Sequence, residues 1–215
     1  MYAWTVIWFE LVRDWGYPGI ILLMAMESSI FPVPSELVIP PAAYWAAQGR
    51  YSFWGVVLAG TIGSYIGAGA TYWVARGIGR PLVVRYGKFV FCPETKLLRA
   101  ERWLARYEAG GVFFARLLPV VRHLIGIPAG IVRMDFRIYS LMTLFGSAIW
   151  CWVLAWFGSR VMGDRPELLN DPEQMIRVLA DRFHWFVGLV LLLCILYLIV
   201  MRLTANPKSM QQEQE

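Results

Sequence analysis

Long apolar stretches of this chain are separated by segments that contain charged residues, and some of the apolar stretches are long enough to cross a membrane. A helix needs about 20 apolar residues to cross a bilayer, and three stretches free of acidic residues, lysine and arginine reach that length. These are residues 51–75, 138–159 and 183–201. Four further apolar stretches are too short to cross and form two pairs, residues 15–26 with 37–49 and residues 109–115 with 123–132.

Prolines interrupt both pairs of short apolar stretches. A proline removes a backbone donor and disfavours helical backbone in the residue before it. Irregular backbone at membrane depth is tolerated only where protein or a water-filled cavity covers it. We therefore predict two re-entrant helical hairpins, at residues 16–49 and 109–134. Their predicted breaks are Pro32, Pro34, Pro119 and Pro128.

The two predicted hairpins occupy corresponding places in two halves of the chain. Pro32 is matched 87 residues later by Pro119. Pro41 is matched by Pro128 at the same spacing. Such a correspondence indicates an internal duplication, and one crossing segment between the halves makes their orientations opposite. The predicted fold is an all-α polytopic membrane protein, an inverted repeat with two opposed re-entrant hairpins plus about three full transmembrane helices.

A single membrane domain, residues 1–215, is the predicted organisation. An interfacial amphipathic helix at residues 2–15 precedes the first repeat. The predicted segments are residues 16–80 for the first repeat, 81–108 for a cytoplasmic basic loop with an amphipathic helix, 109–165 for the second repeat and 183–203 for the last transmembrane helix.

Composition and charge support a membrane protein and set its orientation. With 58% hydrophobic and 16% charged residues, the chain has too little charge to coat a soluble domain of this size. Residues 76–106 carry eight Lys or Arg against two Glu, which by the positive-inside rule places them in the cytoplasm. The C-terminus is then cytoplasmic too. No basic face is interleaved with aromatics, so a nucleic-acid partner is not predicted.

Four charged residues lie beside the two hairpin breaks, Glu27 and Glu36 at the first and Arg116 and Arg122 at the second. A charged side chain at membrane depth is unfavourable by about 2.5–3.5 kcal/mol, so we interpret the four as a functional set. Guanidinium groups suit phosphate, and a carboxylate in low dielectric can carry a proton. The alternative is that the acids only neutralise the arginines and hold the hairpins together.

Other polar residues give weaker signals. His123, beside Arg122, is either a proton relay or a hydrogen-bonded structural histidine. Three scattered cysteines and two histidines show no metal-ligand spacing, so we predict no metal site and no cofactor. The chain also lacks a GxSG or HExxH motif, and we predict that it is not an enzyme, although an enzyme acting on lipid phosphates is the competing class.

The residues around the two breaks resemble those of the DedA family of bacterial membrane proteins, related to the VTT-domain proteins. The first matching motif is residues 27–36, ESSIFPVPSE, and the second is residues 111–122, GVFFARLLPVVR, continued by Ile127-Pro128-Ala129-Gly130 and Met134. The resemblance covers residues 15–165. Where family members often have an aromatic residue after the first arginine, this chain has Leu117.

The resemblance implies a lipid transporter of the bacterial inner membrane that depends on the proton motive force. Members are proposed to flip undecaprenyl phosphate for recycling in envelope synthesis, and others to move phosphatidylethanolamine. The implied functional residues are Glu27 and Glu36 for proton coupling and Arg116 and Arg122 for the substrate phosphate. The expected partners are membrane lipids and protons, and homo-oligomerisation is left open. A structural or chaperone-like membrane protein is the alternative of another class.

Overall fold

A computed structural model describes residues 2–29, 33–79, 110–118 and 121–162, together with Gly188 and Ile195. Within these residues all regular structure is helical, as predicted. The basic loop at 81–108, the breaks Pro32 and Pro119 and, apart from two residues, the last transmembrane helix at 183–203 lie outside the described residues.

Eight α-helices are described, and we number them in chain order. They are α1 (Tyr2–Trp15), α2 (Tyr17–Glu27), α3 (Ile39–Ala47), α4 (Phe53–Val74), α5 (110–116), α6 (Val121–Leu124), α7 (Gly126–Ile131) and α8 (Phe136–Met162). A 3₁₀ turn at Ser35–Leu37 precedes α3, and a π-helical turn at Ala75–Gly79 extends α4. The predicted segment 2–15 therefore forms a helix, whose interfacial position stays a prediction.

Two described helices are long and apolar enough to cross a bilayer, Phe53–Ile78 and Phe136–Arg160. They coincide with the predicted crossing segments 51–75 and 138–159. The two helices run antiparallel: the Tyr72 and Phe136 rings lie 5.2 Å apart, and the Tyr65 hydroxyl donates to Ser140 Oγ at 3.2 Å. This antiparallel pair is the frame against which the shorter helices pack.

The two helices of the frame, α4 and α8, expose apolar side chains and bury polar ones, as expected for helices surrounded by lipid. Large apolar side chains at helical spacing are exposed on α4 and α8, while several hydroxyl side chains on the same helices are buried. A soluble protein has the opposite arrangement. The exposed set includes Trp54, Leu58, Ile62 and Ile66 on α4 and Leu141, Phe145, Ile149 and Trp152 on α8.

The segment between α1 and α4 begins and ends beside the N-terminal end of α4. α2 runs parallel to α4, and α3 leads back toward the start of α4. Beside that start, the Tyr51 hydroxyl donates to the Val12 carbonyl at 3.1 Å, and the Trp45 ring lies 4.6 Å from the Phe9 ring. Residues 17–29 and 33–51 therefore form the two sides of an arm whose ends lie together.

The arm formed by α6 and α7 approaches the frame from the other end. The Gly130 backbone in α7 is packed against Ala75 at the end of α4, and the Tyr72 hydroxyl donates to the Met134 carbonyl. Pro128 lies in the first turn of α7, where a proline is tolerated, so α7 continues through it. Pro34, by contrast, has extended backbone directly before the 3₁₀ turn.

Glycines let α2 and α4 approach closely. A Cβ atom added at Gly63 would lie 2.8 Å from the Met24 Cβ, and one at Gly67 would meet the Ala25 carbonyl and lie 2.9 Å from the Ser28 Cβ. Gly69, on the same helix, has no neighbouring atom within 4 Å of an added Cβ. The small-residue face of α4 is thus a packing surface for α2.

We expect Gly67→Ala to destabilise the protein by about 1–3 kcal/mol, because the added methyl group meets backbone that cannot move aside without shifting α2. Gly69→Ala is the matched control and should leave stability unchanged or slightly raised, since alanine is the better helix former. Thermal unfolding in detergent, followed by tryptophan fluorescence, measures both. Equal melting temperatures for the two variants would contradict the close α2–α4 contact.

Candidate functional site

Glu27 is the last residue of α2 and lies at the point where the first arm turns. Its side chain is buried, with 2% of the residue exposed. Oε1 accepts a hydrogen bond from the backbone N–H of Ser35 at 2.7 Å. Because Ser35 begins the 3₁₀ turn that leads into α3, the carboxylate fixes the return of the chain across the break.

Arg122, in α6, connects the second arm to the first. It is 6% exposed, and Nη2 donates to Glu27 Oε1 and to Ser35 Oγ. Its Cζ lies 4.9 Å from the centroid of the Trp150 ring in α8, and the Trp150 indole N–H donates to the same Ser35 Oγ at 3.3 Å. A buried ion pair between residues 95 positions apart therefore joins the two arms.

Arg116 ends α5 and is held differently. It is 3% exposed, and Nη2 donates to the Tyr139 hydroxyl at 2.9 Å. That hydroxyl donates in turn to the Ala68 carbonyl at 3.1 Å, and the Tyr139 ring stacks on Tyr72 with centroids 4.8 Å apart. The guanidinium group is thus oriented by a neutral phenol that is itself fixed to α4.

Three charged side chains of the site are buried among the described residues, Glu27, Arg116 and Arg122. Among the described residues, ion pairs within 4 Å are found only between Arg122 and Glu27 and between Arg13 and Asp14 at the surface. Arg116 therefore has no carboxylate partner in the described part of the chain. Glu36 is half-buried, and its Oε2 accepts a hydrogen bond from the Ser35 hydroxyl at 3.4 Å. The described part of the interior consequently holds one buried guanidinium beyond the Glu27–Arg122 pair.

His123 lies beside the same pair without entering it. Its Nδ1 is 3.1 Å from the Glu27 carbonyl oxygen. A carbonyl oxygen only accepts, so Nδ1 carries the proton and donates. The contact is the hydrogen bond that the structural interpretation of His123 requires, and it ties α6 to the end of α2.

Three residues outside the set predicted from the sequence complete the geometry: Ser35, Tyr139 and Trp150. The last two lie on α8, and the spacing Tyr139, Thr143, Gly146, Trp150 places one face of that helix toward the arms. In the sequence, this face is recognisable because residues that are not aliphatic recur at steps of three and four within an apolar helix. Among the residues that the structure describes, no group of three or more His, Cys, Asp or Glu is arranged to hold a metal ion.

The chain is similar to known membrane proteins. The profile of the VTT domain matches residues 33–160. "Undecaprenyl phosphate transporter A" of Bacillus subtilis is 37% identical over 68% of this chain and 72% of its own length. "Uncharacterized membrane protein YkoX" of the same organism is 30% identical over 95% of this chain and 87% of its own length.

A third relative carries a name of another kind. "Alkaline phosphatase-like protein" of Lactococcus lactis is 27% identical over 96% of this chain and 97% of its own length. No solved structure matches this chain. The VTT-domain match covers more than half of the sequence, and it includes the Ser35 turn, both arginines and the α4–α8 frame. The chain therefore belongs to the VTT-domain family, the DedA family of membrane proteins, as its sequence motifs predicted.

Proposed function

We propose that this chain transports a lipid phosphate across the bacterial inner membrane, with undecaprenyl phosphate as the substrate. The observation that carries the proposal is the buried guanidinium of Arg116, which has no carboxylate partner among the described residues. A buried charge is unfavourable unless a counter-ion joins it. An anionic lipid headgroup is the counter-ion available in a membrane. The name of the Bacillus subtilis relative supports a polyprenyl phosphate as the lipid that carries this headgroup.

The charge of the site favours a phosphate monoester over a zwitterionic headgroup. A monoester carries about −1.5 to −2 charge near neutral pH, which suits two guanidinium forks. Arg116 is free of acidic partners among the described residues, and Arg122 is engaged by Glu27. Loss of the Glu27 charge would release Arg122, and both arginines would then face the phosphate. Phosphatidylethanolamine is the alternative substrate. Its phosphate diester needs one cationic partner, and its amine needs an acidic one.

Protonation of Glu27 is the proposed coupling step. A proton on this carboxylate removes the charge that holds Arg122 and so separates the two arms at their only described ion pair. Glu36 is half-buried and contacts the Ser35 hydroxyl, which also accepts from Arg122. We assign Glu36 to proton entry on this basis. The proton motive force would then drive the exchange between the paired and the released states.

The proposed architecture places the two arms as re-entrant hairpins of an inverted repeat, entering from opposite leaflets. It is supported by the position of residues 17–51 at the start of α4 and of α7 at its end, and by the contact of the arms at Glu27 and Arg122. The charge asymmetry of the sequence supports a cytoplasmic position for residues 81–108 and for the C-terminus. The polyprenyl tail stays in hydrocarbon while the phosphate passes between the arms.

A phosphatase acting on lipid phosphates is the second candidate, favoured by the name of the Lactococcus lactis relative. The two functions differ in product, since transport leaves the phosphate ester intact and hydrolysis releases inorganic phosphate. Both are measured in one reconstitution.

In vesicles with an inward proton gradient, we expect protein-dependent leaflet exchange of a polyprenyl phosphate without release of inorganic phosphate. Dissipating the gradient should slow the exchange, and excess phosphatidylethanolamine should leave it unchanged. Exchange of phosphatidylethanolamine alone would refute the choice of substrate, and phosphate release would favour the phosphatase. Movement of neither lipid would favour a structural or chaperone-like role.

A further inference from the structure

Thr143, in the first third of α8, has a buried hydroxyl group that finds no partner among the residues that the structure describes. The residue is 0% exposed, and Oγ1 makes no hydrogen bond to any described residue. Threonines in helices usually donate to the carbonyl of the preceding turn. Thr61 and Thr71 on α4 do so, at 2.7 and 3.0 Å. Thr143 leaves this bond unmade, and a buried unsatisfied hydroxyl destabilises the protein that contains it.

The position of Thr143 relates it to Arg116. A Cβ atom added at Gly146 would lie 2.6 Å from the Arg116 Cβ, so the arginine stem begins at that level of α8. Its guanidinium ends at Tyr139, where Nη2 donates to the hydroxyl. Residues 139, 143 and 146 share one face of the helix. The Arg116 side chain therefore extends along the face that carries Thr143.

Arg116 also has an unused donor. Its Nε is buried and has no hydrogen-bond partner among the described residues, while Tyr139 occupies Nη2. The Thr143 hydroxyl and the Arg116 Nε–H, both without a partner in the described part of the chain, thus lie along the same face of α8. An acceptor with several oxygens would satisfy both at once.

We propose that Thr143 is a neutral ligand of the headgroup phosphate, donating to one phosphate oxygen while Arg116 Nε donates to another. Tyr139 is the positioning residue that holds the guanidinium group along α8. This inference rests on the proposed function, and it adds a binding residue that carries no charge. Since Thr143 and Arg116 are both buried here, the headgroup enters when α5 or the α6–α7 arm moves.

Thr143→Val tests the assignment because it removes the hydroxyl and keeps the shape. With the full chain in detergent, the probes are farnesyl phosphate and inorganic phosphate, and titration followed by the melting temperature gives the affinity. We expect Thr143→Val to weaken farnesyl phosphate binding about tenfold or more, as for a lost hydrogen bond to a charged group. Its melting temperature without ligand should be unchanged or higher, whereas Thr143→Ser should bind normally.

Thr61→Val is the matched control, since that buried hydroxyl is satisfied by its own helix, and its affinity should equal that of the parent. Arg116→Ala separates the inference from the proposed function. Lost binding in Arg116→Ala with normal binding in Thr143→Val overturns the role of Thr143 alone. Normal binding in both variants overturns the proposed phosphate site as well. Equal affinity for inorganic phosphate overturns the assignment to a lipid headgroup. If Thr143→Val unfolds, Thr143→Ala takes its place because it also removes the hydroxyl: weakened binding then supports the assignment, and normal binding overturns it.

Discussion

Replacing Arg116 by methionine should abolish transport without weakening the fold. The unbranched apolar side chain can follow the same path along α8 from Gly146 to Tyr139. Removing an uncompensated buried charge in favour of a packed apolar group is often neutral or stabilising. Losing the charged contact to the phosphate is expected to raise the barrier by about 2–5 kcal/mol, which corresponds to a rate about 30-fold lower or more.

The measurement pairs leaflet exchange in vesicles with thermal unfolding in detergent. Arg116→Lys is the control for charge alone, and it should restore little transport because an ammonium group lacks the planar fork. Normal exchange by Arg116→Met would show that the guanidinium is scaffold. A fall in melting temperature together with lost exchange would indicate that Arg116 stabilises the protein.

The described parts of the frame and arms are largely predictable from the sequence, because their signals are local. Uncharged stretches of sufficient length predicted the two long helices that the structure describes. The proline-containing break after Glu27 predicted a turn there, and Pro34 does have extended backbone. Pro128 is different: a proline in the first turn of a helix is compatible with that helix, and α7 runs through it.

The pairing inside the site is not predictable in the same way, because it depends on how distant segments pack. The sequence provides two acids and two arginines at the breaks, and any of four pairings satisfies it. The structure pairs Glu27 with Arg122 and gives Arg116 a phenol instead. Ser35 and Tyr139 are ordinary residues in sequence, and their roles arise from contacts with Arg122 and Arg116 across the fold.

The Glu27–Arg122 pair gives the second large effect, in stability. Glu27→Gln leaves Arg122 buried without its counter-ion, and Arg122→Gln does the same to Glu27. Breaking a buried ion pair from either side destabilises a protein by about 3–5 kcal/mol. The double variant Glu27→Gln/Arg122→Gln removes both charges, so its stability should return close to that of the parent. Thermal unfolding of the four proteins measures this coupling.

Transport should follow a different order from stability in the same four proteins. If Glu27 is the proton carrier, the double variant stays inactive although its fold is restored, because no group is left to release the arms on protonation. Asp14→Asn, which breaks the exposed pair with Arg13, controls for loss of an acid and should change neither property. Recovery of transport together with stability in the double variant would mean that the buried pair only holds the two arms together. Recovered stability with transport still absent would show that the two charges are needed for transport and not for the fold, as the proposed roles of Glu27 in proton coupling and Arg122 in phosphate binding require.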